Sequence, residues 1–195
     1  MKISNLVLFL LISQNLFSQV IKDLDKDGIK DTIFFDQEKS VIICKLSTNN
    51  FKSIFSKTEL SDEMNSGIRE TKSGFEFYVG FMRAGYANQF RYEEKEKKIR
   101  LIGMSRYEFG PANNDGSGKS SLNVLTNNYI GEWYHYDMTK EELIKIPIIK
   151  TKMYFPKIYL EHYDGRYQSE YEEKCSELYY KQKKKILTGK IVVDG

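Results

Sequence analysis

The chain has little cysteine, proline, tryptophan or histidine. Its 195 residues include two Cys, three Pro, one Trp and two His. Two cysteines cannot build a disulfide-dense scaffold or a four-thiolate zinc or iron–sulfur site. The remaining composition, 41% hydrophobic, 14% aromatic and 29% charged, is that of a globular protein and excludes intrinsic disorder and collagen-like repeats. At this length we expect one domain with a core of useful size.

Long hydrophobic runs are also scarce, and the one that stands out lies near the N-terminus. Residues 6–12 read Leu-Val-Leu-Phe-Leu-Leu-Ile, after the positive start Met1-Lys2 and before the small Ser18. This order is typical of a secretory signal peptide, and the run is shorter than the roughly 20 residues that span a bilayer. We therefore expect residues 1–18 to be a signal peptide and residues 19–195 to be one mature domain, periplasmic or secreted, with no membrane span. An uncleaved anchor is the alternative.

Excess charge of one sign is absent as well. The formal net charge is +3, and loss of Lys2 with the signal peptide leaves +2. A balance so close to zero gives no support for a nucleic-acid partner.

Export also permits a disulfide. Cys44 and Cys175 can pair in only one way, and two buried free thiols are the equally weighted alternative.

The middle of the chain has the composition and spacing of short β-strands. The predicted strands cover residues 32–36, 41–46, 74–81, 88–94, 98–107, 120–126 and 129–136. Several are separated by short polar turns, which predicts antiparallel hairpins. No repeat of fixed period is present, so self-similarity does not support a full propeller. Apolar positions between residues 167 and 185 fall at helical spacing. The predicted fold is mainly β, an antiparallel propeller-like or sandwich body with one C-terminal amphipathic helix.

The strongest motif is an acidic segment, residues 23–31, which reads Asp-Leu-Asp-Lys-Asp-Gly-Ile-Lys-Asp and which we call the acidic loop. Alternate acidic side chains in a tight loop can converge on calcium, a cation that takes six to eight oxygen ligands. Gly28 allows the sharp turn. The predicted ligands are Asp23, Asp25, Asp27, Asp31 and the carbonyl oxygen of Ile29. An EF-hand would need Glu at position 12, where Phe34 stands before a predicted strand. The alternative to a structural calcium site is an acidic turn that binds no ion.

The acidic loop, followed by a strand, resembles the calcium loops of FG-GAP/VCBS-type repeats. It also resembles a group of secreted bacterial proteins that carry one such loop, among them periplasmic immunity proteins related to lysozyme inhibitors. A second similarity is the segment 121–128, which is similar to a Ser-x-Asn-x-Leu-Thr-Gly strand and turn of that group, with asparagine in place of the glycine. The resemblance implies a β-rich, propeller-like fold, bound calcium and a non-catalytic binding role.

A long polar loop at residues 110–118 is the predicted surface for a protein partner, because long loops concentrate binding residues and Arg and Tyr dominate hot spots. The candidate partner-binding residues are Arg106, Tyr107, Phe109, Asn113, Asn114, Asp115 and Lys119. A solvated hairpin loop is the alternative. Arg83, between two glycines, is a second candidate for binding a carboxylate, and an internal salt bridge is its alternative.

The strand at residues 129–136 and the residue after it carry the remaining candidates. His135 and Asp137 are two residues apart, as a base and its orienting carboxylate would be. Trp133 and Tyr134 have rings that can stack on sugars. The leading hypothesis is an exported, non-catalytic, calcium-stabilised protein of the cell envelope, and the resemblance implies that its protein partner is a cell-wall hydrolase or toxin. The alternatives are a calcium-dependent envelope hydrolase using His135, Asp137 or Glu132, and a glycan-binding module.

Overall fold

The computed structural model describes residues 19–57 and 65–189, and the predicted signal peptide lies outside them. The first part of the chain forms a four-stranded antiparallel sheet, which we call the small sheet, with its strands in sequence order. Its strands are β1 (Gln19–Lys22), β2 (Asp31–Asp36), β3 (Val41–Lys45) and β4 (Ser53–Phe55).

A larger antiparallel sheet of eight strands follows, which we call the large sheet. Its first six strands form a meander, and two short strands then share the far edge of β10. These strands are β5 (Ser66–Thr71), β6 (Gly74–Gly80), β7 (Ala84–Glu93), β8 (Lys98–Glu108), β9 (Gly118–Asn123), β10 (Asn128–Asp137), β11 (Glu142–Lys145) and β12 (Ile149–Lys152). From β5 to β11, consecutive strands pair because turns of two to nine residues join them.

The alternation of apolar and polar residues produces the hairpins that the sequence predicts. In β2 every second residue is buried and the others are half-buried, the pattern of a strand with one face on a core. The predicted pairs β2–β3, β7–β8 and β9–β10 are all formed and antiparallel. The prediction of a mainly antiparallel β body with one C-terminal helix is confirmed. The propeller-like alternative is wrong, because the described residues form two open sheets.

The two faces of the large sheet have different surroundings. The covered face carries the fully buried side chains of Phe75, Phe90, Leu122 and Tyr129. The small sheet packs on one half of this face, where the ring centroids of Phe35 and Phe77 lie 4.8 Å apart. The opposite face, which we call the open face, carries a row of directly paired residues from β6 to β10. These residues are Tyr78, Ala87, Ser105, Ser121 and Ile130.

A helix covers the other half of the covered face. It is α1 (Gly165–Leu187), and its N-cap Asp164 accepts a hydrogen bond from the Arg166 N–H, which satisfies a donor that the helix itself cannot pair. The buried positions of α1, at spacings of three and four, are Gln168, Tyr171, Cys175 and Tyr179. The hydroxyls of Tyr171 and Ser120 lie 2.8 Å apart, which fixes the helix to β9. No helix within the described ranges is long and apolar enough to cross a membrane.

Candidate functional site

Three carboxylates of the acidic loop converge. One oxygen each from Asp23, Asp25 and Asp27 lies within 4.8 Å of the other two, and two oxygens on one calcium ion can be at most about 5 Å apart. The backbone turns tightly because Lys26 and Gly28 have positive φ angles of 63° and 89°. The Gly28 N–H closes the turn by donating to Asp23 Oδ2 at 3.1 Å.

In both Asp23 and Asp25, one carboxylate oxygen accepts a hydrogen bond, and the other has no partner among the described residues. Asp23 Oδ1 and Asp25 Oδ1 are buried and accept no hydrogen bond from any described residue. The second oxygen of Asp25 accepts a hydrogen bond of 2.5 Å from Thr48, and Asp27 accepts one of 2.7 Å from Ser47. Buried polar atoms are normally paired, and close carboxylates repel. A bound cation would supply what both orphaned oxygens lack, so Asp23, Asp25 and Asp27 form a cluster that could hold a metal ion.

Asp31 has a different role in the structure. Its side chain is completely buried, and its two oxygens accept the Leu24 N–H at 2.7 Å and the Ser47 N–H at 2.8 Å. The structure therefore brings together three of the four predicted carboxylate ligands, while Asp31 anchors both ends of the acidic loop to the segment after β3. The side chain of Ile29, whose carbonyl is the fifth predicted ligand, is half exposed.

The acidic loop and its flanking strand also contact the large sheet. Lys22 Nζ donates to Glu70 Oε1 at 2.9 Å and to the Thr71 carbonyl at 2.7 Å, in the strand that begins the large sheet. Lys26 pairs with Glu94, just after β7, at 2.9 Å, and this hydrogen bond lowers the pKa of Glu94. Exposed pairs of this kind stabilise little, but they place the acidic loop at the boundary of the two sheets.

The structure divides the predicted partner-binding residues between the two faces of the large sheet. Arg106 lies on the covered side, where it pairs with Glu108 and lies 5.6 Å from the centre of the Trp133 ring. Tyr107 points to the opposite face and packs over Gly85, where a Cβ atom would come within 2.6 Å of the ring. Its cross-strand partner Lys119 is exposed on the same face. Tyr107 and Lys119 therefore lie together, apart from Arg106.

The Asp115 carboxylate bonds to residues of two other elements, α1 and β10. Its carboxylate accepts hydrogen bonds from Lys183 Nζ at 2.9 Å and from the Tyr136 N–H at 2.8 Å, and lies 3.0 Å from His135 Nδ1. Burial alone would raise the pKa of Asp115, but the bonds from Lys183, Tyr136 and His135 hold it well below its usual 3.8. The carboxylate thus ties the loop at residues 110–118 to β10 and to α1.

Arg83 shapes the same loop from the other side. Its guanidinium donates to the carbonyl oxygens of Gly110, Phe109 and Pro111 at 2.8, 3.3 and 3.2 Å, and to Asn114 Oδ1 at 3.4 Å. The side chain of Asn113 accepts from the Asp115 N–H at 3.2 Å. Among the described residues, Arg83 therefore forms no internal salt bridge, while its binding of a carboxylate on a partner stays a prediction. It binds backbone carbonyls, and Asn113 and Asn114 help to shape the loop.

The residues of the hydrolase and glycan hypotheses do not converge on one surface. His135 is buried and paired with Asp115, while the carboxylate of Asp137 accepts the Thr139 N–H at 2.8 Å in the following turn. Glu132 lies on the other face of β10 and pairs with Lys145 at 3.5 Å. Trp133 is only 3% exposed and cannot stack on a sugar.

The two cysteines are free buried thiols. Cys44 lies on β3, between Ile33 and Ile54 of the neighbouring strands. Cys175 lies on α1, 3.5 Å from the Ser120 hydroxyl of the large sheet. Burial raises the pKa of both thiols. The candidate disulfide Cys44–Cys175 is not formed in this structure. Cys44 is buried in the small sheet, whereas Cys175 is buried between α1 and the large sheet.

Comparison with protein-family models, with curated proteins and with solved structures finds no match to this chain. The proposal for its function therefore depends on the acidic loop, the surfaces around it and the resemblance of residues 23–31.

Proposed function

We propose that this protein is an exported, non-catalytic binding protein that calcium stabilises. In this proposal it binds a protein partner of the cell envelope, a cell-wall hydrolase or toxin that it neutralises. One observation carries the proposal: Asp23 Oδ1 and Asp25 Oδ1 are buried beside Asp27 without a hydrogen-bond partner among the described residues. The class of partner rests on the resemblance of the acidic loop.

Asp23, Asp25 and Asp27 would hold the ion, with the Ile29 carbonyl as a predicted further ligand. When bound, calcium supplies positive charge that offsets the repulsion of the three carboxylates. Thr48 and Ser47 keep Asp25 and Asp27 in position before the ion arrives, as outer-shell partners of metal ligands do. Since the acidic loop joins β1 to β2 and contacts the large sheet, ion binding would stabilise the contact between the two sheets.

In this proposal the partner binds at the opposite end of the large sheet, where four apolar side chains are exposed. We call this group the aromatic end; it consists of Phe81, Met82, Tyr107 and Phe109. Met82 is 95% exposed and Phe109 53%, and the rings of Tyr107 and Phe109 lie 5.5 Å apart. Exposed apolar groups of this kind favour a protein interface.

The backbone of the aromatic end is held by hydrogen bonds, and it is distant from the acidic loop. The Arg83 guanidinium holds the backbone of residues 109–111, and the Phe109 N–H donates to the Arg83 carbonyl at 2.8 Å. Strand β8 separates the two ends by about 33 Å at 3.3 Å per residue. The ion would therefore stabilise the fold without touching the partner.

A pull-down from envelope extract with calcium present tests the proposal. The immobilised protein is expected to retain one saturable protein partner. The double substitution Met82→Ser and Phe109→Ser should abolish this capture without lowering the melting temperature, because both side chains are on the surface. Leu125→Ser, an exposed apolar residue in the turn at the other end of the sheet, is the matched control and should capture normally. Equal capture by all three proteins, or none by the unmodified protein, contradicts the proposal.

A further inference from the structure

The open face of the large sheet contains a depression that shares only Tyr107 with the aromatic end. Its volume is about 680 Å³, within the usual range of about 300–1,000 Å³ for ligand sites. Small side chains form its floor, namely Ala87, Ser105 and Ser121. Larger side chains bound it, with Tyr78 at one end of the row and Ile130 at the other. This row crosses five strands and is about 19 Å long at 4.8 Å per strand.

Tyrosine rings and unpaired hydroxyls line the depression. Tyr107 and Lys119 lie in the next row of cross-strand partners. The phenol groups of Tyr78 and Tyr107, and the Ser121 hydroxyl, form no hydrogen bond with residues 19–57 or 65–189. A pyranose ring has an apolar face and hydroxyl groups around its edge. Aromatic side chains suit the face, and serine hydroxyls can donate to or accept from the edge.

An extended peptide fits this floor less well than a saccharide. Strands β6 to β10 are each paired on both sides, so their backbone N–H and C=O groups are used within the sheet. Peptides in extended form are generally recognised through main-chain hydrogen bonds at a free sheet edge. The open face offers side-chain hydroxyls and rings instead.

The charges around the depression favour an acidic ligand. Arg69 is paired with Glu76 and stacks over Tyr78 at 4.9 Å, and Glu132 is paired with Lys145. Lys119 is exposed and has no hydrogen bond or ion pair with a described residue. A carboxylate is the natural complement of this unpaired ammonium group.

From these contacts we propose that the open face is a binding site for a carboxylate-bearing oligosaccharide of about four sugar rings. Sugar rings lie against Tyr78 and Tyr107, and a sugar carboxylate pairs with Lys119. Sugar hydroxyls bond to Ser121 and donate to Ser105, whose own proton is donated to the Ala87 carbonyl at 3.3 Å. The site is separate from the acidic loop and from the exposed tips of Met82 and Phe109.

Isothermal titration calorimetry of the purified full chain, in excess calcium, tests the site. The probes are tetragalacturonate, its neutral methyl ester, a hyaluronan tetrasaccharide and hexaglutamate peptide. At least one acidic saccharide should bind with Kd below about 1 mM. Lys119→Met should weaken it about 10-fold or more, since a charged hydrogen bond is lost. If tetragalacturonate is the ligand, the unmodified protein should bind its methyl ester about as weakly as Lys119→Met binds tetragalacturonate itself. Ser121→Val, which fills the floor, should abolish binding.

Lys181→Met is the matched control, because Lys181 is an exposed lysine of α1 on the other side of the sheet. It should bind as the unmodified protein does, and all variants should keep their melting temperature. No binding of either acidic saccharide, or binding that Lys119→Met leaves unchanged, overturns the proposal. Hexaglutamate binding as tight as that of the saccharides overturns it in favour of an acidic peptide. Capture of a protein partner by the aromatic end is measured separately, so either result can fail alone.

Discussion

The Thr48 hydroxyl donates a hydrogen bond of 2.5 Å to Asp25 Oδ2, while the other oxygen of the same carboxylate is buried without a partner. A residue 23 positions further along the chain thus orients a predicted calcium ligand. In the proposed site the free oxygen would bind the ion, while the hydrogen bond to the other oxygen keeps the side chain in place.

Replacing Thr48 should therefore weaken calcium binding without removing the site. Thr48→Val deletes the hydroxyl and leaves all three carboxylates. Loss of an outer-shell partner typically reduces metal affinity about 10–100-fold, and we expect a change in this range in a calcium titration followed by calorimetry. Thr126→Val, an exposed threonine in the turn between β9 and β10, is the control. Equal calcium affinity in Thr48→Val and the unmodified protein would show that this hydroxyl does not position Asp25.

Asp115 should make the protein sensitive to acid. Its folded-state pKa lies below the usual 3.8, so the carboxylate stabilises the fold fully above about pH 4 and loses this contribution as pH falls toward the folded pKa. Asp115→Asn should cost about 2–3 kcal/mol at pH 7, because bonds from Lys183 and His135 lose their charged partner. Thermal melts at pH 7 and pH 3 measure this. The gap in melting temperature between the two proteins should narrow at pH 3.

Glu38→Gln, a surface change with no observed side-chain partner among the described residues, is the control for Asp115. It should melt like the unmodified protein at both pH values. A gap between Asp115→Asn and the unmodified protein that widens on acidification would contradict the assignment.

Arg83 should control the order of the loop at residues 110–118. Arg83→Lys keeps the charge but cannot reach three carbonyl groups with one planar fork. We expect faster amide hydrogen exchange in peptides covering residues 109–116, and a loss of about 1–2 kcal/mol in the free energy of unfolding. Peptides from β2 and β3, which Arg83 does not contact, are the internal reference. Unchanged exchange in the loop would mean that Arg83 does not hold it.

The two cysteines should react as thiols. Alkylation under denaturing, non-reducing conditions should label both Cys44 and Cys175 in protein purified without reductant, and mass spectrometry counts the labels. Dithiothreitol should leave the melting temperature unchanged. Under native conditions neither thiol should react quickly, since both are buried. Labelling only after reduction would show that the disulfide forms.

Local patterns in the sequence predict the hairpins, the helix and the acidic loop, because each depends on spacing within a short segment. A β-bulge between β7 and β8 is a feature that these local patterns do not predict. Gln89 pairs with Gly103 and Phe90 with Leu101, so Ile102 is unpaired. The extra residue lets Leu101 and Met104 both face the core, which strict alternation would forbid.

Contacts between distant segments are the part of the site that the sequence does not reveal. Ser47 and Thr48 reach the acidic loop only after β3 folds back on β2, and no local motif marks them. The sequence marks Arg83 as a candidate because it lies between two glycines. Its carbonyl partners cannot be predicted, because they depend on where β8 ends. Neighbouring positions Arg106 and Tyr107 form one predicted surface, yet strand geometry sends them to opposite faces.

The most direct test of the proposed calcium site is a thermal melt in EGTA and then in millimolar calcium. Calcium at 100 times its dissociation constant adds about 2.7 kcal/mol, which should raise the melting temperature by about 5–10 °C in a chain of this size. Asp25→Asn keeps the acceptor for Thr48 but removes the charge, so it should abolish the rise, while Asp36→Asn outside the acidic loop should retain it. A melting temperature independent of calcium in the unmodified protein, or a full rise in Asp25→Asn, would contradict the account.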